Sequence, residues 1–182
     1  MISLVMDTSN SYLAVGLYQD NVCLEAFQEK GSRRQSEKAI PTLKEVLDRH
    51  DIALKDVDEM IITSGPGSYT GVRVAMTIAK TLAAVSDVKI KSVSSLAAYA
   101  GMNQALSVID ARGHKVFVGV YENGLPLIKE QVMTLEDFAQ LRAEYSDYEL
   151  VGEIGCLGLD EKECDLCANI YALGQMADPI EN

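Results

Sequence analysis

The sequence predicts an α/β protein that consists of two units with the same order of elements. Short segments in which apolar and polar residues alternate predict strands, and longer segments with apolar residues at helical spacing predict helices. The order of three strands, a helix, a strand and a helix occurs twice along the 182 residues. We therefore divide the chain into a first lobe, residues 1–102, and a shortened second lobe, residues 103–182.

The first lobe begins with a three-stranded meander. Leu13, Val15 and Leu17 alternate with smaller or polar residues, which is typical of a strand with one buried face. Leu43 and Leu47 lie four residues apart and indicate a helix. The predicted strands are residues 2–6, 12–18, 22–27, 60–63 and 88–93, and the predicted helices are residues 36–49, 72–85 and 95–102.

The second lobe repeats this order with fewer elements. Asn123 and Gly124 form a typical hairpin turn, and Thr134 is a typical first cap of a helix. The predicted strands are residues 106–109, 115–121, 127–133 and 149–151, and the predicted helices are residues 135–145 and 168–176.

An aspartate follows the first strand of each lobe, Asp7 in the first and Asp110 in the second. Two such units facing each other describe the duplicated ribonuclease-H-like fold of actin and the sugar kinases, in which each lobe has a mixed sheet with flanking helices. In that fold, paired turns carrying Asp flank a nucleotide-phosphate and magnesium site. Because Asp, Thr, Ser and Asn are also good turn formers, a purely structural role for both turns stays open.

Charge and hydropathy exclude several classes of protein. The net charge is −11, and residues 101–182 contribute −10 of it, with 5 basic and 15 acidic residues. Such a surface repels nucleic acid, and the small basic cluster of Lys30, Arg33, Arg34 and Lys38 does not compensate for it. No run of 18 apolar residues is present, and the first six residues do not resemble a signal peptide. We expect a cytoplasmic protein with no membrane partner.

A glycine-rich loop lies between the predicted strand 60–63 and the predicted helix 72–85. Gly65, Gly67 and Gly71 allow the backbone to approach a partner closely, as in a phosphate cradle. The spacing fits neither common nucleotide motif. A P-loop needs Lys where Val72 stands, and a dinucleotide-binding loop needs Gly where Thr70 stands.

The helix after this loop is apolar around most of its circumference. A helix of this kind is buried on two sides, either within its own core or against a partner, and the pattern leaves both alternatives open. The preceding helix could contribute to the same surface. The candidate interface residues are Ile40, Leu43, Leu47, Val72, Ala75, Met76, Ala79, Leu82 and Ala83.

Several motifs in order along the chain resemble the TsaB family, also called YeaZ. They are Asp7-Thr8-Ser9, Ser36-Glu37 with Pro41, Gly65-Pro66-Gly67-Ser68-Tyr69-Thr70-Gly71-Val72-Arg73, Ser92-Val93-Ser94-Ser95-Leu96 and Asp110-Ala111-Arg112. The resemblance is strong up to about residue 121 and loose afterwards. It implies the actin and sugar-kinase fold and a non-catalytic paralogue of TsaD, the subunit that transfers threonylcarbamoyl to tRNA. It also implies a TsaE-type ATPase as a further partner.

In the resembled family, TsaB and TsaD pair through these two helices, so the resemblance implies the interface residues given above. Without TsaD, the same surface could pair with itself as a homodimer. Contact with tRNA is expected only through the partner. Members usually continue into a Pro-x-Tyr-x-Arg tail, and this sequence stops at Asn182, which suggests a short second lobe.

The residues indicate no catalytic centre and no metal site. The catalytic paralogue holds its metal through a His-x-x-x-His pair, whereas His50 and His114 are too far apart for one helix face, and Gln35 replaces the His that many members have. Cys164 and Cys167 have the spacing of a zinc or redox pair but lack further ligands. The glycoprotease-like metallopeptidase alternative therefore finds no ligands.

An ATPase or kinase that uses Asp7 and Asp110 is the other alternative. Such an enzyme needs an adenosine pocket in the second lobe, which is usually glycine-rich, and only Gly152-Glu153-Ile154-Gly155 remains here. Its acid opposes a phosphate, so we expect no cofactor and at most weak binding of ATP and magnesium. We interpret the turns and the glycine loop as vestigial phosphate loops. Their residues are Asp7, Thr8, Ser9, Gly65, Gly67, Ser68 and Asp110.

Overall fold

The computed structural model describes residues 1–31 and 35–181. Arg33 and Arg34 of the predicted basic cluster lie outside the described residues. The first lobe contains five strands and three helices: β1 Ile2–Asp7, β2 Tyr12–Gln19, β3 Val22–Lys30, α1 Gln35–Arg49, β4 Glu59–Thr63, α2 Tyr69–Val85, β5 Lys89–Val93 and α3 Ser95–Ala100. A 3₁₀ turn, Leu54–Asp56, precedes β4. Helix α2 begins three residues before the predicted start because Ser68 accepts a hydrogen bond from the Gly71 N–H and caps it.

The second lobe contains β6 Ala105–Arg112, β7 Lys115–Glu122, β8 Leu125–Pro126, β9 Gln131–Thr134, α4 Leu135–Glu144, β10 Glu149–Gly152 and α5 Leu166–Gly174. The prediction of one strand over residues 127–133 is wrong. Two short strands, β8 and β9, flank residues 127–130, and both pair with β7. Pro126 has no N–H to continue a ladder, and the Glu130 side chain accepts hydrogen bonds from Tyr121 and Ser94, which draws the segment away.

Each lobe has a mixed five-stranded sheet. The first sheet has the order β3-β2-β1-β4-β5, with β1, β4 and β5 parallel, and the second has the order β10-β6-β7-β8 with β9 also on β7. In the first sheet Met6 pairs with Ile62. This register brings the carboxyl ends of β1 and β4, and therefore Asp7 and Thr63, side by side.

The two sheets and the helices form five layers. Helices α1 and α2 cover the outer face of the first sheet, where Leu4, Met6, Met60 and Ile62 are fully buried. Helices α3 and α5 lie between the two sheets. Helix α4 packs on the outer face of the second sheet through Phe138.

The last helix of each lobe crosses to the other lobe. Helix α3 packs against β6, β7 and β10, whereas α5 packs against strands of the first sheet. Tyr171 of α5 stacks on Tyr18 with ring centroids 4.1 Å apart, and the Asn169 Nδ2 donates to the Ala98 carbonyl of α3 at 2.8 Å. The two lobes therefore share one apolar interior between the sheets.

The lobes differ in the elements that come after β4 in the first lobe and after β10 in the second. In the first lobe, α2 and β5 come between β4 and α3. In the second lobe, residues 153–165, all of which the structure describes, contain only the 3₁₀ turn Ile154–Leu157 before α5. Within the described ranges, no helix has the length and hydropathy to cross a membrane.

Candidate functional site

Asp7 is part of a buried polar cluster at the carboxyl ends of β1 and β4. Its Oδ1 accepts hydrogen bonds from the Ser9 N–H at 2.8 Å, the Ser9 hydroxyl at 2.6 Å and the Thr63 hydroxyl at 2.6 Å. The Ser9 hydroxyl also contacts the Ser95 hydroxyl at 2.9 Å. Burial raises the pKa of Asp7, although these hydrogen bonds to the carboxylate oppose the shift. The cluster joins the first turn to β4 and α3.

The glycine loop is bound to the turn that carries Asp7. The Ser68 N–H donates to the Ser9 carbonyl at 2.8 Å, and the Thr8 hydroxyl donates to the Gly71 carbonyl at 2.5 Å. A Cβ atom on Gly67 would overlap the Ser9 carbonyl oxygen, and one on Gly71 would overlap the Thr8 carbonyl oxygen. These two glycines therefore permit close approach between two segments of this chain, where the sequence suggested a phosphate.

A cleft of about 780 Å³ lies between the lobes beside these turns. Of the predicted loop residues, Ser9, Gly67, Ser68 and Asp110 line it. Asp7, Thr8 and Gly65 do not line the cleft, and Asp7 and Thr8 are buried beneath its wall. The exposed Asp110 carboxylate accepts a hydrogen bond from the Arg112 N–H at 2.8 Å within the irregular end of β6. The two aspartates therefore occupy different environments.

Glu153 spans the cleft from one turn to the other. Its Oε1 accepts from the Asp110 N–H at 3.0 Å, and its Oε2 accepts from the Ser11 hydroxyl at 2.7 Å. Lys30 of β3 adds a second link to the other side, with its Nζ 2.7 Å from the Glu161 Oε2. The Glu153 carboxylate thus occupies donors that a phosphate would need, and its charge repels a second anion.

The two histidines do not line this cleft, and burial lowers the reactivity of two cysteine thiols. His50 contacts Glu25 at 3.2 Å, and His114 lies in the β6–β7 turn. Burial raises the pKa of Cys164 to about 11 and that of Cys167 to about 12, so both thiols are poor nucleophiles. Among residues 1–31 and 35–181, no three His, Cys, Asp or Glu side chains come together in a way that could hold a metal ion.

A second candidate site is an apolar groove between α1 and α2, which we call the α1–α2 groove. Its volume is about 370 Å³. Its lining residues are Ile40, Leu43, Lys44, Leu47, Asp48, Ile52, Ala53, Leu54, Thr77, Ile78, Thr81 and Leu82. Thr81 donates its hydroxyl to the Thr77 carbonyl of its own helix at 2.8 Å, so this hydroxyl needs no outside partner.

The structure corrects part of the predicted interface. Ala75 and Ala79 are fully buried against the chain's own sheet, so they cannot contact a partner. Leu43, Leu47 and Leu82 are almost buried and form the floor of the groove. The other predicted residues on α2, Val72, Met76 and Ala83, are partly buried and do not line the groove.

The exposed apolar residues of the two helices lie around this groove and along α2. Ile40 is 61% exposed, Tyr69 is 76% exposed and Val85 is 75% exposed. Arg73 lies over the Tyr69 ring, 5.1 Å from its centroid, and its Nη1 donates to the Tyr69 hydroxyl at 2.8 Å. Ile40 lines the groove, whereas Tyr69 and Val85 lie at the two ends of α2.

Sequence reasoning did not identify several residues of these sites. Ser11, Lys30 and Glu161 contribute to the cleft only because distant segments meet there, and their local sequence has no signal of this. Thr77 and Thr81 had a usable signal, since they lie four residues apart on α2 and next to the apolar Ile78 and Leu82.

The fold and the two joined turns define an α/β protein of the duplicated ribonuclease-H-like class. Residues 28–151 match the model of the family described as TsaD, tRNA N6-adenosine threonylcarbamoyltransferase. The TsaB protein of Bacillus subtilis, named for threonylcarbamoyladenosine biosynthesis in tRNA, is 33% identical over 153 residues, which cover 79% of this chain and 67% of the relative. The Escherichia coli TsaB protein is 30% identical over 132 residues, which cover 67% of this chain and 57% of the relative.

A solved structure shows the same fold. YeaZ from Pseudomonas aeruginosa superposes with a TM-score of 0.82 at 24% identity, over 96% of this chain and 91% of that chain. Together with the matches in sequence, this likeness confirms the predicted fold class. The chain belongs to the TsaB (YeaZ) family. The matched part spans between about half and two thirds of the length of the curated relatives.

Proposed function

We propose that this chain is a non-catalytic partner subunit that binds and stabilises a TsaD-type transferase in threonylcarbamoyladenosine modification of tRNA. The α1–α2 groove carries this proposal. It presents apolar floor residues and the exposed Ile40 on a surface that the rest of the described chain leaves uncovered. Because the substrate of such a transferase is tRNA, we place the protein in the cytoplasm.

The relation between this chain and the transferase family supports pairing between the two. Residues 28–151, which include both helices of the groove, match the TsaD family model. Two related folds can present equivalent helices to each other across a pseudo-twofold axis, and two copies of one chain can do the same. We therefore propose a heterodimer with the TsaD-type paralogue, and a homodimer when that paralogue is absent.

The charge distribution supports an indirect relation to tRNA. The net charge of −10 on residues 101–182 repels the phosphate backbone, so we propose that the partner makes the tRNA contacts. The link between Glu153 and both turns disfavours a bound nucleotide in the cleft. We propose that this chain holds no cofactor and that a TsaE-type ATPase supplies nucleotide hydrolysis in the assembly.

The interface is tested by replacing Thr77, an exposed residue that lines the groove. Thr77→Arg places a long charged side chain in the groove and is expected to weaken binding to the TsaD-type paralogue of the same organism at least about tenfold. The matched control, Thr77→Val, keeps the size of the side chain at this exposed position and should bind within about twofold of the unaltered chain. Sedimentation of the mixed proteins at several concentrations measures both. Undiminished binding by Thr77→Arg would contradict the assigned interface.

The absence of nucleotide chemistry is tested by titration of the isolated chain with magnesium-ATP in a calorimeter. We expect no sub-millimolar binding, because Glu153 already accepts from the Asp110 N–H and the Ser11 hydroxyl. Glu153→Ala, which frees these donors and removes one negative charge, serves as the comparison. Sub-millimolar binding by the unaltered chain that is lost in Asp7→Ala would instead support the ATPase or kinase alternative.

A further inference from the structure

The outer face of the second sheet carries an apolar groove beside α4, which we call the α4 groove. Its volume is about 740 Å³, and it is open along one side. Leu106 of β6 and Leu150 of β10 form part of its floor, and residues of α4 and of the α4–β10 connection form a wall. Tyr145 and Tyr148 lie at one end with their ring centroids 5.2 Å apart.

The first lobe shows what a complete outer face looks like. There, α1 and α2 both cover the sheet, and Met60 on β4 is fully buried. In the second lobe, β10 pairs in parallel with β6 just as β4 pairs with β1, but α4 is the only helix on this face within the described residues. Leu150, at the corresponding place on β10, is only partly buried.

The α4 groove therefore lies where α2 would lie if the second lobe repeated the first. The residues between β10 and α5 fill one corner of it with the 3₁₀ turn Ile154–Leu157 and then leave the face. An apolar groove on a sheet face, next to a helix that packs on the strands β7 and β9, is suited to receive one more helix.

The charges around the α4 groove indicate which kind of helix fits. Glu144, Asp147 and Glu149 alternate with lining residues and are exposed, and Arg142 is the one basic side chain among the described lining residues. Lys162, 3.8 Å from Glu149 across an exposed pair, offsets little of this charge. The whole second lobe is strongly acidic. A second copy of this chain, with its net charge of −11, is a poor match for such a surface.

We infer that the α4 groove binds a basic amphipathic helix of a partner protein. The apolar side of that helix packs on the partly exposed Leu150 and Leu157, and its basic residues face Glu144, Asp147 and Glu149. The aromatic pair of Tyr145 and Tyr148 provides a rigid contact at one end. This surface is separate from the α1–α2 groove, so the inference does not depend on the proposed pairing with a TsaD-type subunit.

The test uses a synthetic helical peptide of about 17 residues, roughly the length of a four- to five-turn helix, with leucines along one side and lysines along the other, titrated into the full chain. Chemical-shift changes in an NMR spectrum locate the peptide, and calorimetry measures its affinity. We expect the shifts to cluster on α4, β6 and β10. A peptide with glutamate in place of every lysine should bind at least about tenfold more weakly, because the charge match is reversed.

Substitutions in the α4 groove test whether the peptide binds there. Ala139 and Ala143 are exposed and line the groove, so Ala143→Trp fills it without burying a polar group and should weaken binding at least about tenfold, as should Ala139→Trp. The matched control is Ala84→Trp, which changes an exposed alanine on α2 that lies outside both grooves and should leave binding unchanged. No binding of the lysine peptide, equal binding of the glutamate peptide, or shifts confined to α1 and α2 would each overturn the inference.

Discussion

At the scale of single residues, Asp7 shows how a side chain typical of catalysis can stabilise a fold. Its Oδ1 accepts from three donors that belong to the first turn and to β4, and it is almost completely buried. The sequence placed Asp7 directly after the first strand, and the structure makes it the last residue of β1. Turn formers and catalytic acids look the same at this place in a sequence. The structure shows that Asp7 joins two strands, because one of its three hydrogen bonds comes from Thr63 on the neighbouring strand.

Two substitutions at Asp7 separate the contribution of its charge from that of its hydrogen bonds. Asp7→Asn keeps an Oδ1 acceptor, whereas Asp7→Ala leaves buried donors without a partner and should cost about 1–3 kcal/mol of unfolding free energy. The raised pKa of Asp7 means that the folded state loses stability as pH rises from the ordinary value of 3.8 through the folded value. The stability of Asp7→Asn relative to the unaltered chain should therefore rise over that pH interval and stay at the higher value at neutral pH.

Urea denaturation measures the unfolding free energy of both variants and its change with pH. It is carried out between pH 3 and pH 8, an interval of about 5 units that includes the ordinary pKa of aspartate. Asp7→Asn that is less stable than Asp7→Ala at neutral pH would contradict this account. A relative stability of Asp7→Asn that does not change with pH would contradict the assigned cause of the pKa shift.

At the scale of elements, α2 is the clearest case in which periodicity alone could not decide which side of a helix is buried. Its apolar residues surround most of the helix, and the pattern did not show which side meets the chain's own sheet. The structure places Ala75 and Ala79 on the sheet side and Thr77 and Thr81 on the groove side. The small side chains of Ala75 and Ala79 allow the helix to approach the sheet closely.

This assignment of sides on α2 leads to opposite outcomes for two arginine substitutions. Ala79→Arg inserts a long charged side chain into the core and should lower the unfolding free energy by about 4 kcal/mol or more. Thr77→Arg lies at an exposed position and should change it by no more than about 0.5 kcal/mol. Thermal or urea unfolding of both variants distinguishes them, and equal stability would show that the sides are assigned incorrectly.

At the scale of the whole molecule, the exchange of α3 and α5 makes the two lobes one unit. The face of the first sheet that carries Val5, Ala14 and Ile61 is buried only when α5 from the other end of the chain packs on it. The division at residues 102 and 103 follows the order of elements along the chain. The packing does not follow that order, because each lobe completes the core of the other.

We therefore expect the full chain to unfold in one transition and a fragment of residues 1–102 to fail to fold. Without α5, this fragment exposes apolar residues that are fully buried in the whole protein, and its sheet loses one of its two helical layers. Far-ultraviolet and tyrosine near-ultraviolet circular dichroism of the full chain should give coincident urea transitions. Separate transitions, or a cooperative transition in the fragment, would show that the lobes fold independently.

Apart from the two short strands β8 and β9, the sequence by itself determined the order of strands and helices, the duplicated fold and the family, because these depend on local periodicity, turn chemistry and short motifs. The hairpin at Asn123 and Gly124, where both residues have positive φ, was predictable from two residues. Only the tertiary structure decided which face of α2 is buried, that Glu153 links both turns, and that the second sheet carries an apolar groove beside α4. Each of these depends on segments far apart in the chain, and no local pattern records how such segments meet.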